Sequence, residues 1–226
     1  MSEIGVVYIA RGLDPHWPTR ISRFVESWKT HPPGIDCHVY VIYKEFIKSE
    51  DLLWVINQTL PLWPTNILEY NGHNSYGGGC FKEACNHVTE PLLCTLVSTA
   101  EVMHDNWLLE LYTAFTSLDA ALVGCTGSRE CNLHIRDNAI LILRRRHEEI
   151  IKQFDFKSKA DYDDFEHGPN NLTLQAMRAG PVFVVEKDRI LAPSEWAHTT
   201  YRDNLQNVLV HDSGARDYTD GVRWAG

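Results

Sequence analysis

The run Asp163-Asp164-Phe165-Glu166-His167-Gly168 places three carboxylates within four residues, shortly before a segment that Asn170 or Asn171 can cap as a helix ending at Gly180. The positive end of that helix would keep Glu166 ionised and basic at neutral pH, fitting it to take a proton from a hydroxyl. Asp164 stands second for that role and Asp163 third; the alternative for all three is to cap the helix start. A second stretch, Asn71 to Gly79, mixes amide and hydroxyl donors with the glycines Gly72, Gly77, Gly78 and Gly79, which let backbone approach a ligand closely. A helix follows it at once, and its free N–H groups would face the same region, as a phosphate requires. Ser75 and Tyr76 are then candidate ligand contacts, although such a glycine run also serves as a plain turn. Arg11, or one of Arg144 to Arg146, could supply charge to an anionic ligand; the arginine run reads equally well as an exposed helix face.

The elements that would hold these residues alternate. Ile4 to Ala10 reads as a buried strand, followed by Arg11-Gly12 and a helix with Ile21, Phe24, Val25 and Trp28 on one face. Cys37 to Tyr43 is a second strand, Ser49 starts a helix burying Leu52, Leu53 and Ile56, and Ile67 to Tyr70 is a third strand. Phe81, Ala84, Cys85 and Val88 recur at helical spacing before a strand at Leu92 to Val97. Asp105 can cap a helix whose apolar face is Leu108, Leu111, Tyr112, Phe115 and Leu118. Strands at Ala120 to Cys125 and Ala139 to Leu143, a helix near His147 to Phe154, an acidic loop at Asp161 to Glu166, and a strand at Val182 to Val185 complete the series. Such alternation predicts one α/β domain, a Rossmann-like, mostly parallel sheet with helices on both faces, over residues 1–212. Ligands in such folds sit beyond the carboxyl ends of the strands. Residues 213–226 read as a polar tail or linker.

A formal net charge of −9 argues against a nucleic-acid partner, since phosphate neutralisation needs clustered Lys and Arg. No stretch approaches the roughly 20 apolar residues of a membrane span, and the opening segment lacks a signal-peptide layout, so a cytoplasmic location is expected. The six cysteines lack paired metal-type spacing and suit reduced, buried thiols.

Three segments taken in order resemble the GT-A glycosyltransferases, especially the inverting family-two type. They are the opening strand with Arg11-Gly12; Asn71 to Gly79 with its helix, then Leu93 to Val102 and His104-Asp105-Asn106-Trp107-Leu108; and Asp163 to Gly168 leading into Leu172 to Gly180. The chain is also similar to the small glycosyltransferase domains of large algal viruses, for which the location would be host cytoplasm. The resemblance implies transfer from a nucleotide-sugar donor, a UDP-sugar, to a glycan hydroxyl acceptor with inversion. It places Tyr8, Ala10 and Arg11 by the base, and Asn71, Ser75, Tyr76 and Gly77 by the donor. Ser98, Thr99, Ala100 and Glu101 fall on the D-x-D segment, with Thr99 where the first acidic residue belongs and Glu101 where the second does. The family's Mn2+ or Mg2+ would then rest on Glu101 and a later histidine, His198 or failing that His211. Glu166, with Asp164 behind it, becomes the general base. Trp196 and Tyr201, in a polar-aromatic stretch with His198 and Arg202, would wall the acceptor, or else belong to the core. A sugar-nucleotide or glycan-binding domain without catalysis is the competing reading, motivated by Thr99.

Overall fold

A computed structural model describes residues 2–63, 67–70, 76–196 and 206–213, with backbone only at 67–70 and Tyr76. The first strand, β1 (Ile4–Arg11), is buried along nearly its whole length. Ile4, Val6, Tyr8 and Ala10 enter one hydrophobic cluster, and Val7 and Ile9 enter another. A strand covered on both faces has no polar alternation, which is why this run reads as continuously apolar. The chain continues through α1 (Trp17–Thr30), β2 (His38–Lys44), α2 (Ser49–Thr59), β3 (Ile67–Tyr70), α3 (Tyr76–Ala84), β4 (Leu92–Leu96) and β5 (Ala100–Val102). Next come α4 (Trp107–Ser117), β6 (Leu122–Gly124), β7 (Gly127–Ser128), β8 (His134–Ile135), β9 (Ile140–Leu143) and α5 (Arg144–Ile151). The last are α6 (Lys159–His167), α7 (Leu172–Met177), β10 (Val182–Glu186), β11 (Arg189–Leu191) and β12 (Val210–Asp212).

Eight strands form the main sheet in the order β11-β10-β6-β9-β4-β1-β2-β3. β3, β2, β1 and β4 run parallel, as do β6 and β10, while β9 lies antiparallel between β4 and β6 and β11 closes the edge antiparallel to β10. One face carries α1 and α4 with part of α2, through Phe24, Val25, Val55, Leu108, Leu111 and Phe115. The other carries α3, α5, α6 and α7, through Phe81, Ile150, Phe165 and Leu172. Phe24 stacks on Tyr8 at 3.7 Å between ring centres, and Trp28 meets Trp63 and Trp107 edge-on at 5.2 and 5.6 Å. Each such buried side chain contributes roughly 1.5–3 kcal/mol through removal of apolar surface from water.

The expected α/β sheet is present, and several local expectations are corrected. α2 packs Leu52 and Ile56 against the core as expected and buries Val55 and Thr59 beside them, whereas Leu53 turns away and is 59% exposed. Asn106, at φ 61°, precedes α4; Asp105 instead meets His31 Nδ1 at 2.8 Å. The stretch 161–166 is helical, since Ser158 Oγ accepts from Asp161 N at 3.2 Å and Asp161 Oδ2 accepts from Ser158 N at 2.8 Å, a reciprocal cap that starts α6. Gly77, Gly78 and Gly79 lie inside α3. Gly78 faces Phe156, where a Cβ would stand 2.2 Å from Cε1, so the glycine serves packing. Ser213 is buried and donates to Thr99 O from both N (2.8 Å) and Oγ (2.9 Å). Among the cysteines, Cys131 is exposed and Cys37 half-buried; the other four are buried, and burial pushes the Cys80 and Cys85 thiols up to about 12.

Candidate functional site

A cavity of about 810 Å³ opens beyond the carboxyl ends of β1, β2 and β4. One side is cationic. Arg11, the last residue of β1, donates from Nε to Glu45 Oε2 at 2.6 Å and from its terminal nitrogen to Asp14 Oδ1 at 3.1 Å. Burial works against its charge, but these two carboxylates outweigh burial and raise its pKa. Asp14 also meets Arg20 at 3.6 Å and accepts from Ser98 Oγ, tying the turn after β1 to the turn after β4. Lys44, the last residue of β2, is 1% exposed, borders the cavity and lies 3.7 Å from Glu45; burial lowers its pKa. The turn is close because Gly12 N donates to Lys44 O at 2.9 Å, and a Cβ at Gly12 would stand 2.7 Å from Glu45 O.

The opposite side is built by α6, the loop from β8 to β9, and β12. Phe165 anchors α6 in the core among Phe154, Phe156 and Tyr162, with ring centres 5.2, 5.4 and 6.3 Å away. That orientation sends Lys159, Tyr162, Asp163 and Glu166, spaced three, four and seven apart, to the cavity wall. Glu166 Oε1 lies 3.5 Å from Arg136 Nε, and Arg136 also meets Asp212 Oδ2 at 2.9 Å. Arg136 N donates to Thr126 O at 2.8 Å and Asn138 Nδ2 to Val210 O at 2.7 Å, clamping this loop to its neighbours. Asp137 borders the cavity, is 6% exposed, and its Oδ2 has no hydrogen-bond partner among the described residues. Burial foremost, then Glu166 and Asp212, hold its carboxyl well above the usual carboxylate range against the pull of Arg136. His134 Nδ1 lies 2.9 Å from Asn132 O; since a carbonyl only accepts, Nδ1 carries the proton and Nε2 is the acceptor of the neutral ring. Burial favours that neutral ring.

Of the residues expected at a site, Arg11, Gly77, Ser98, Thr99, Asp163 and Glu166 border this cavity. Tyr8 and Ala10 do not; on β1 they face α1, and the alternation sends Ile9 and Arg11 to the site instead. Asp164 lies on the exposed side of α6, turned toward Gly168. Glu166 sits near the end of α6 and is charge-paired by Arg136, not by a following helix start. Trp196 is 3% exposed, packs in the core and donates Nε1 to Leu191 O at 3.1 Å, so it is no acceptor wall. Arg144 to Arg146 open α5 and pair with Glu148 and Glu149 outside the cavity. Ala100 is buried in β5 and absent from the cavity wall. Asn71, Ser75, His198, Tyr201 and Arg202 lie outside the described residues, as does the side chain of Tyr76. Sequence reasoning missed Asp14, Arg20, Lys44, His134, Arg136, Asp137 and Asp212. Lys44 had a signal, a lone cation closing an apolar strand; the others had none.

Of the two residues expected to hold a hard dication, His198 lies outside the described residues, and the buried Glu101 Oε2 has no hydrogen-bond partner among them. Glu101 lies on β5 opposite His211 of β12 and does not border the cavity. Asp14, Glu166 and Asp212 are paired with guanidinium groups, and among the described residues no three His, Cys, Asp or Glu side chains converge as metal ligands.

The central sheet and its two helix layers are those of the GT-A glycosyltransferase fold. Two solved structures carry that likeness. The mannosyltransferase PcManGT from Pyrobaculum calidifontis, in complex with GDP-Man and Mn2+, superimposes with a TM-score of 0.58 at 11% identity, over 81% of this chain and 54% of that one. S. aureus TarS 1-349, in complex with UDP-GlcNAc, gives 0.55 at 10% identity, over 77% and 53%. This chain thus spans about half the length of each. No protein-family model matches the chain, and no curated protein matches it in sequence.

Proposed function

We propose that the chain is a glycosyltransferase that moves a sugar from a nucleotide-sugar donor, a UDP-sugar, to a glycan hydroxyl with inversion. The observation that carries this reading is the two-sided cavity, cationic at Arg11, Arg20 and Lys44 and carboxylate-bearing at Glu166, at the strand ends of a GT-A fold. The neighbours solved with UDP-GlcNAc and GDP-Man support a nucleotide-sugar donor. In this reading the diphosphate lies toward Arg11, Arg20 and Lys44, whose charge stabilises the leaving group. Glu166 takes the acceptor hydroxyl proton; the acceptor oxygen bonds to the anomeric carbon as the bond to the diphosphate oxygen breaks, and the diphosphate leaves with the electron pair.

The test is a panel of UDP-xylose, UDP-rhamnose, UDP-glucose, UDP-galactose, UDP-GlcNAc and GDP-mannose, with manganese, magnesium or chelator, scored for released nucleotide and for binding. Turnover that Glu166→Gln abolishes supports the assignment. Binding without turnover favours the binding-domain reading, and activity lost to chelator restores the cation through residues such as Glu101 and His198.

A further inference from the structure

Among the cavity groups that the transfer chemistry above does not use, Asp137 stands apart. Asp137 is more than nine-tenths buried, borders the cavity, and leaves Oδ2 without a hydrogen-bond partner among the described residues. Its loop is fixed on both sides, through Arg136 N to Thr126 O and Asn138 Nδ2 to Val210 O, which holds the backbone at Asp137 in place. A buried polar oxygen left unpaired calls for a donor, which a ligand or an ordered water in the cavity would supply.

The surroundings decide which ligand. Glu166, Asp163 and Asp212 border the same side of the cavity, and their charge repels phosphate there. Arg136 stands between Glu166 and Asp212, 3.5 and 2.9 Å away, where a bound cation would have to compete with the guanidinium. A neutral polyol meets neither obstacle: its hydroxyls donate to carboxyl oxygens and carry no charge. With the diphosphate drawn to Arg11, Arg20 and Lys44, the part of a donor that reaches Asp137 is its sugar. We infer that Asp137 is a specificity-determining residue that accepts a hydrogen bond from a hydroxyl of the transferred sugar. The inference rests on the glycosyltransferase reading. It gives the site a division of labour, with nucleotide affinity on the cationic side and sugar discrimination at Asp137.

Calorimetric titration of wild type, Asp137→Ala and Asp137→Asn with UDP, UDP-glucose, UDP-galactose, UDP-GlcNAc, GDP and GDP-mannose tests this. Wild type should bind its nucleotide sugar more tightly than the matching free nucleotide. Asp137→Ala should lose that increment, by about tenfold or more, and with it the preference between glucose and galactose forms, while free nucleotide binds within about twofold of wild type. Asp137→Asn keeps the volume and one acceptor, and should lose less in the same sense; it carries the test if the alanine variant fails to fold. Unchanged nucleotide-sugar affinity in the variants overturns the inference. So does an equal loss for nucleotide and nucleotide sugar, or a wild type that gains nothing from the sugar. Wild type that binds no nucleotide or nucleotide sugar at all removes the underlying reading and the inference together, whereas turnover intact in wild type and in Asp137→Ala removes the inference alone.

Discussion

Replacing Asp137 by Asn should make the ligand-free protein more stable, and by an amount that depends on pH. The wild-type carboxyl is desolvated, lies near Glu166 and Asp212, and has one unpartnered oxygen. Leaving such a group unsatisfied costs about 1–3 kcal/mol. The amide of Asn keeps the shape but removes the charge and its repulsion, so a gain of about 1–2 kcal/mol is expected, or about 2–8 °C in melting temperature for a chain of this size. The sign with pH follows from linkage. Unfolded, Asp137 titrates near 3.9, and in the fold its pKa is raised. Between those values the native state binds more protons than the unfolded state, so wild type loses stability as pH rises through that window, and the Asn variant does not. The difference should therefore be small near pH ~4 and grow toward neutral pH. Urea unfolding without nucleotide, repeated across that range, measures it as a shift in midpoint at constant slope. A variant less stable than wild type at neutral pH, or a gain that shrinks as pH rises, would refute the burial argument.

Four further outcomes are expected. Glu166→Gln should lower turnover by about 10²–10⁴-fold while donor affinity, by calorimetry, changes little. Arg11→Ala should weaken UDP and UDP-sugar alike, by about tenfold, with a shallower dependence on salt; an effect confined to the sugar would place the diphosphate elsewhere. Trp196→Ala should cost about 3–5 kcal/mol in urea unfolding through the core cavity it leaves, and a folded variant with altered acceptor KM alone would return Trp196 to the acceptor wall. Gly78→Ala should destabilise by about 1–3 kcal/mol, because the new methyl meets the buried Phe156 ring; an unchanged midpoint would show that the ring can yield.

The sheet was legible because its central strands are covered on both faces, so Ile4 to Ala10 and Leu92 to Leu96 announce themselves as unbroken apolar runs. Arg11 and Thr99 were legible as polar residues at or just past the ends of such runs, and Glu166 as one of the carboxylates clustered before a helix cap. The same rule, followed one step further, would have excluded Tyr8 and Ala10, since a period of two cannot send them and Arg11 to one side. Arg136 and Asp137 escaped because they sit in an irregular loop between two-residue and four-residue strands, where no periodicity marks direction. Asp212 escaped because its place depends on β12 pairing with β5, a contact between positions more than a hundred residues apart. Trp196 misled because a tryptophan among polar neighbours looks alike whether it walls a site or fills a core.

The pairing of β12 with β5, fastened by Ser213 on Thr99, has a consequence for synthesis. Asp212 partners Arg136, which in turn holds Glu166, so the acidic wall is unfinished until the ribosome has released the segment carrying Val210 to Ser213. The sheet strands up to β11 are made well before that point. A chain released without the segment from Val210 onward can therefore complete its sheet while the acidic wall lacks its last member, and should be folded in the sheet yet fail to hold Arg136 and Glu166 in place.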